Sequence, residues 1–149
     1  MSVAIYEASR VINAPAQKLY DILKDYEVGH PAILPKGFFG ALEVKQGGQG
    51  AGTVISVSMK AFGQTTTIEQ VVTEPEPGRV LVETDMQTGQ FTRFVVERLD
   101  SARSRVTIHT ETPASPGLKG WFERNIQPPL ANRVFQQELQ NLEAYARRQ

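Results

Sequence analysis

Residues 120–149, GWFERNIQPPLANRVFQQELQNLEAYARRQ, close the chain as its longest helix-like segment. On both sides of Pro128 and Pro129, apolar residues recur at the spacing of one helix face. Each proline removes a backbone donor and collides with the preceding helical turn. The segment therefore predicts one long C-terminal helix, over about residues 117–148, that bends at the two prolines.

The chain before this helix is rich in strand signals. INAPAQKLYDILKDY is the exception, because its apolar residues fall on one helix face, and a proline-containing bend with a short helical turn follows it. Candidate strands, separated by turns such as GGQGAG and PEPG, cover residues 2–13, 38–46, 53–62, 65–74, 79–86, 90–99 and 104–111. The pattern predicts an antiparallel sheet of about seven strands, with two short helices after the first. The apolar face of such a sheet needs a cover, and the C-terminal helix is the long element available.

Turn chemistry sets the expected register of the hairpin around residues 63–64. A two-residue loop there pairs Val57 with Gln70. The same register sets Met59 opposite Ile68. It leaves one face of the hairpin apolar and the other polar, which is the pattern of a half-buried sheet.

The next hairpin is expected to turn through residues 87–89. Glycine at the last of these positions suits a left-handed conformation. This loop pairs Val82 with Phe94 on the inner face. It also sets Glu83 against Arg93 on the outer face, as a favourable cross-strand pair. In this register, none of the strands has an acidic residue on the inner face of the sheet.

Composition bounds the class of protein. The 149 residues, 40% of them hydrophobic, predict a single domain over residues 1–149. Lys+Arg and Asp+Glu both number 16, so the zero net charge argues against a nucleic-acid partner. There is no cysteine, which excludes disulfides and thiolate metal sites. We expect a cytoplasmic monomer or homodimer without stable membrane insertion.

The candidate catalytic residues are few. The two histidines lie far apart without metal-ligand spacing, so we expect no metal and no cofactor. His109 is expected on the outer face of the sheet. His30 falls in the proline-containing bend, where it is either an ordinary loop histidine beside Pro31 or a base that meets a ligand carbonyl. No serine elbow or catalytic triad is recognisable, and the catalytic residues remain unassigned apart from the candidate His30.

The expected ligand-binding residues share the inner face of the sheet, the bend or the start of the C-terminal helix. They are His30, Val57, Met59, Gln70, Val82, Phe94, Arg98, Trp121, Phe122 and Asn125. Gln70 is the foremost candidate for a ligand hydrogen bond, although satisfied core polarity explains it equally well. Arg98 stands at a strand end, from which it can also extend into solvent. Glu138 interrupts the apolar side of the last helix, where it either pairs with a strand cation or lies at the solvent edge.

The order and spacing of six segments resemble a known family. INAPAQKLYDILKD, GQGAGTVISVSM, VVTEPEPGRVLVE, TRFVVERL, RVTIHTE and ELQNLEAYA together are similar to the START-like (helix-grip, SRPBCC) superfamily, in its polyketide cyclase/dehydrase and lipid-transport branch. The resemblance implies an α+β helix-grip fold. In this fold a curved antiparallel sheet wraps around a long, proline-kinked C-terminal helix, and the two enclose a hydrophobic cavity.

The same resemblance implies three alternative functions. The first is the binding or transport of a small hydrophobic ligand, such as a lipid, a quinone or a polyketide-like molecule. The second is a cyclase, dehydratase or hydrolase in which His30, Gln70 or Arg98 polarises a carbonyl. The third is a protein-interaction module with a small cavity and an exposed apolar patch. The sequence leaves open whether the chain is an enzyme.

Overall fold

The structure is a computed structural model that describes residues 3–61, 63–113, 117 and 127–149. Its elements, in chain order, are β1 (Val3–Ile12), α1 (Ala16–Lys24), α2 (Gly29–Ile33), β2 (Phe39–Gln46), β3 (Val54–Ala61), β4 (Gln64–Glu76), β5 (Val80–Asp85), β6 (Phe91–Arg98), β7 (Ser104–Pro113) and α3 (Gln127–Arg148). The predicted order of strands and helices is confirmed. None of the helices described here is long and apolar enough to span a membrane.

The seven strands form one antiparallel sheet in the order β1-β7-β6-β5-β4-β3-β2. Strands β2 to β7 follow one another as a meander, and β1 joins the sheet beside β7. Helix α3 packs against β1, and α1 and α2 pack against each other and α3. On β1 the even-numbered residues from Ala4 to Ile12 face inward. The sequence pattern alone left open which side of this strand faces the core. This arrangement is the helix-grip fold.

The core fills the space between the concave side of the sheet and the helices. The apolar face predicted for α1 is confirmed, because its buried residues are Leu19, Tyr20, Ile22 and Leu23. Phe94, Ile108 and Leu142 are among the buried residues that the sheet and α3 contribute. A residue that lies on the inner face of the sheet is therefore either part of this core or part of a cavity within it.

A glycine-rich loop ties α1 to the sheet. Gly50, with φ +59°, donates its amide to the carbonyl oxygen of Lys24, and Ala51 donates to a carboxylate oxygen of Glu74. The hydroxyl of Tyr20 donates to the other oxygen of Glu74. A Cβ at Gly50 would lie 2.4 Å from that carboxylate, so only glycine allows this close approach. The loop thereby sets the position of α1 and of the bend that follows it.

The predicted register between β3 and β4 is wrong by two residues. Val57 lies opposite Ile68, and Ile55 lies opposite Gln70. The shift arises because Ala61 already pairs with residue 64, so the turn comes one residue earlier than predicted. A two-residue shift preserves which side chains share a face, and the predicted inner face of this hairpin is therefore retained.

The predicted register between β5 and β6 is wrong by one residue. Leu81, not Val82, lies opposite Phe94, and Val82 lies opposite Arg93. The cause is a loop of four residues rather than three, closed by the amide of Asp85 on the carbonyl oxygen of Gln90. A one-residue slip moves every side chain of the strand to the other face. Val82 therefore lies on the outer face, while the inner face gains an acidic side chain from β5.

The predicted bend of the C-terminal helix falls partly outside the described residues. Helix α3 is described from Gln127, so Pro128 and Pro129 are the second and third residues of its described part. Residues 118–126, which belong to the predicted longer helix, are not among those described. The bend itself stays a prediction.

Candidate functional site

A cavity of about 180 Å³ lies between the concave face of the sheet and the helices α2 and α3. Most of its lining is apolar. The apolar lining includes Leu34, Phe39, Leu42, Val57, Met59, Ile68, Phe94, Val134 and Phe135. The polar side chains that reach it come from β1, β4 to β7, α2 and α3. Such a mixture, with a largely apolar wall and a few polar groups, is typical of a small-molecule site.

His30 lies in the cavity wall and is almost fully buried, with 1% of its surface exposed. The ring stacks on Tyr26 at 4.4 Å between centroids and meets the edge of Phe94 at 5.4 Å. Its Nδ1 donates to the carbonyl oxygen of Leu23 at 2.7 Å, since a carbonyl has no proton to give. These contacts fix both the plane and the tautomer of the ring, so that only Nε2 remains for chemistry.

Glu83 of β5 lies beside Nε2 of His30. His30 Nε2 lies 3.3 Å from Glu83 Oε2, and the hydroxyl of Tyr26 donates to the same oxygen at 2.7 Å. A favourable contact between Nε2 and the carboxyl requires a proton on one of the two atoms. Burial, followed by the charge of Glu83, raises the pKa of Tyr26 well above its usual range. Tyr26 is therefore a fixed hydrogen-bond donor, and the Glu83 carboxyl group is held between Tyr26 and His30.

Glu138 of α3 brings a second carboxyl group to the cavity. It is buried, with 2% of its surface exposed, and its Oε2 has no hydrogen-bond partner within the described part of the chain. Neither alternative considered from the sequence holds, because the residue meets neither a strand cation nor solvent. Burial, followed by the charge of Glu83, raises its pKa well above the usual range. Burial therefore favours the neutral form of the Glu138 carboxyl group, which is the form that can donate a hydrogen bond.

The residues singled out from the sequence fall into three groups. His30, Val57, Met59, Gln70 and Phe94 come together in the cavity wall. Val82 lies on the outer face for the reason given above, and Arg98 is exposed at the end of β6. Neither of these two lines the cavity. Trp121, Phe122 and Asn125 lie outside the described residues.

The sequence interpretation missed one acidic residue of the site, Glu83, and left the role of Glu138 open. Glu83 was expected on the outer face because the loop after β5 was taken as one residue too short. Asp85 is the sequence signal for the longer loop. Its carboxylate accepts hydrogen bonds from the amides of Gln87 and Thr88, which stabilises a four-residue turn. Glu138 has Val134 and Leu142 one turn away on either side, and this placement on an apolar helix face is the signal for its burial.

The outer face of the sheet carries the other histidine. His109 bonds Glu7 through Nδ1 and Glu111 through Nε2, at 2.5 and 2.9 Å. It faces away from the cavity, as predicted. Among the described residues no group of three or more His, Cys, Asp or Glu could hold a metal ion.

Solved structures with this fold share little sequence with the chain. The KanY protein is 24% identical, covers 99% of both chains and has a TM-score of 0.85. The Zhui aromatase/cyclase from Streptomyces sp. R1128 is 18% identical over 99% of this chain and 95% of its own, with a TM-score of 0.76. A START superfamily protein from Mycobacterium smegmatis is 14% identical over 97% of both chains, with a TM-score of 0.73. At these identities the likeness concerns the fold.

A family model covers almost the whole sequence. The model described as polyketide cyclase / dehydrase and lipid transport matches residues 4–147. A comparison with curated proteins finds no match. The chain therefore belongs to the polyketide cyclase / dehydrase and lipid transport family.

Proposed function

We propose that the chain is an acid–base enzyme of the cyclase or dehydratase type that acts on a small, largely apolar carbonyl compound bound in the cavity. One observation carries the proposal: a buried, unpartnered carboxyl group, Glu138, lines the same cavity as the His30–Glu83 pair. A buried polar group without a partner costs stability, so its presence in an apolar wall favours a role toward a ligand.

The cavity volume bounds the ligand. An apolar protein cavity of roughly 150 Å³ holds benzene. The cavity of about 180 Å³ therefore accommodates a molecule of one substituted ring. A ligand of this size leaves its apolar surface against residues such as Met59 and Ile68, and presents its oxygen atom to the acidic groups.

The chemistry assigns a different task to each carboxyl group. Glu138, as a neutral acid, donates a hydrogen bond to the ligand carbonyl, which makes the neighbouring C–H bond more acidic. Glu83, as the carboxylate that lies against Tyr26 and His30, accepts the proton from that carbon. The Glu138 proton passes to the carbonyl oxygen, so that an enol forms. In a β-hydroxy ketone the loss of the α proton to Glu83 instead breaks the C–O bond at the β carbon. The Glu138 proton then passes to the departing hydroxyl group, which leaves as water, and the product is an enone.

Carrier function is the second candidate, because the cavity lining is mainly apolar. A carrier would bind the same ligands without changing them. Binding and turnover must therefore be measured separately.

The test uses 4′-hydroxyacetophenone in deuterated buffer. Proton NMR follows exchange of its methyl protons, and titration calorimetry measures binding. We expect the protein to accelerate exchange, and Glu83→Gln to reduce that acceleration by at least about a hundredfold, which is the low end for removal of a general base. The variant should still bind the ketone, because glutamine also accepts the Tyr26 hydroxyl bond.

Glu143→Gln is the matched control, since Glu143 is also a buried carboxyl group but lies outside the cavity wall. It should exchange the ketone at the rate of the unchanged protein. Binding without any acceleration of exchange would overturn the enzyme proposal in favour of the carrier. Acceleration that survives Glu83→Gln would show that Glu83 is not the base.

A further inference from the structure

Most polar side chains in the cavity wall already have partners. Thr92 and Thr110 bond each other through their hydroxyl groups at 2.7 Å. Gln90 accepts a hydrogen bond from Thr112 at 3.1 Å. Tyr6 has an interaction of its own. These groups are satisfied without a ligand, so they give little reason to expect a ligand contact.

Gln70 differs from them. It lies on β4 between Ile55 of β3 and Asp85 of β5, and only 7% of its surface is exposed. Its side chain lines the cavity and makes no hydrogen bond within the part of the chain that the structure describes. A primary amide offers two donors and one acceptor oxygen, and a ligand in the cavity can use them.

Gln70 and Glu138 are therefore two polar groups in the cavity wall that a ligand can bond. Gln70 comes from the sheet, whereas Glu138 comes from the helix α3 that covers it. A ligand whose single oxygen atom bonds Glu138 leaves Gln70 without a ligand hydrogen bond unless that oxygen also lies within reach of the amide. A hydrocarbon would satisfy neither, and both groups would remain desolvated.

We propose that the site selects a single-ring carbonyl compound that also bears a hydroxyl group, with the carbonyl held by Glu138 and the hydroxyl held by Gln70. This inference rests on the proposed function and adds the substrate class to it. A phenolic or enolic hydroxyl suits the amide because each can both donate and accept. Gln70 takes no part in the proton transfers, so it is a specificity-determining residue rather than a catalytic one.

The experiment compares acetophenone with its 2′-, 3′- and 4′-hydroxy isomers, which share one ring and one carbonyl. Calorimetry gives the affinity of each for the full chain. We expect at least one hydroxy isomer to bind about tenfold or more tightly than acetophenone, since a site that hydrogen-bonds a hydroxyl disfavours the analogue that lacks it. Gln70→Leu should abolish this preference and leave acetophenone affinity within about twofold.

Gln140→Leu is the matched control, because Gln140 is exposed on α3 and makes no contact with the cavity. It should keep the preference of the unchanged protein. Equal affinity for all four ketones, or a preference that survives in Gln70→Leu, overturns the inference about Gln70. If methyl exchange continues in that case, the proposed enzyme function stands. If none of the ketones binds and none exchanges, the proposed function falls and the inference falls with it.

Discussion

Glu138 illustrates at the scale of one residue how a functional group can oppose stability. Its carboxyl group is buried, and Oε2 finds no partner in the described structure. We expect Glu138→Leu to raise the free energy of unfolding by about 1–3 kcal/mol, because the variant removes the desolvation cost of an unpaired polar group. Urea unfolding at pH 7 measures the change. Leucine should also weaken binding of the ketones, so stability and binding would move in opposite directions.

The pH dependence of the free energy of unfolding provides a control for this prediction. Burial raises the pKa of Glu138 in the folded state, so above the unfolded value near 4.5 the folded chain retains a proton that the unfolded chain releases. The contribution of Glu138 to stability therefore falls as pH rises from about 4.5 toward the folded pKa. The gap between Glu138→Leu and the unchanged protein should widen over that window. A constant gap across this pH range would contradict a raised pKa.

Sequence reasoning at the residue scale succeeded where a residue's face depended on local alternation alone. Gln70 was placed on the inner face even though its predicted partner was wrong, because a two-residue shift leaves faces unchanged. Glu83 was misplaced because its face depended on the length of one loop. Glu138 was noticed as an interruption of an apolar stripe, but no local pattern indicates that a carboxyl group will lack a partner.

At the scale of elements, a partly buried ion pair joins the first strand to the last helix. Arg10 of β1 reaches Glu143 of α3 at 2.8 Å, and Arg147 approaches the same oxygen at 3.2 Å. The hydrogen bonds of Arg10 are the main cause that lowers the pKa of Glu143. We expect Arg10→Met to lower the free energy of unfolding at pH 7 by about 1–2 kcal/mol, measured by urea unfolding.

Acid should remove this difference. A carboxyl group with a lowered folded pKa stabilises above its unfolded pKa, near 4.5 here, and this contribution is lost as pH falls through the folded value. The gap between Arg10→Met and the unchanged protein should therefore close below about pH 4.5. Arg103→Met is the control, since Arg103 pairs with Asp100 on the surface, and it should cost less than about 0.5 kcal/mol at any pH. Equal losses in the two variants would contradict the structural importance of the β1–α3 contact.

The elements themselves were predictable because each depends on signals within a few residues. Hydrophobic spacing identified α1, and alternation bounded by glycine and proline identified the strands. The pairing of distant elements was harder to predict from the sequence. The contact of Asn132 with the amide of Glu7, which covers the free edge of β1, joins residues 125 positions apart and leaves no local trace in the sequence.

At the scale of the whole molecule, the cavity exists because the sheet and its covering helix do not meet along their full facing surfaces. The family resemblance implied such a space, but the volume of the cavity depends on every side chain in its wall. A tightly packed interior leaves few voids larger than a water molecule. A cavity of about 180 Å³ is thus an exception that a single substitution can remove.

Val57→Phe tests whether this space is the ligand site. Val57 is buried on β3 and lines the cavity, so the added ring can occupy the void, and we expect ketone affinity to fall by at least about tenfold. The free energy of unfolding should change by less than about 1 kcal/mol, because filling the void offsets the strain of overpacking. Val82→Phe is the matched control on the outer face, and calorimetry should give it the affinity of the unchanged protein. If Val57→Phe leaves the ketone affinity unchanged in a folded protein, the ketones bind elsewhere. Glu83 and Glu138 then have no substrate within reach.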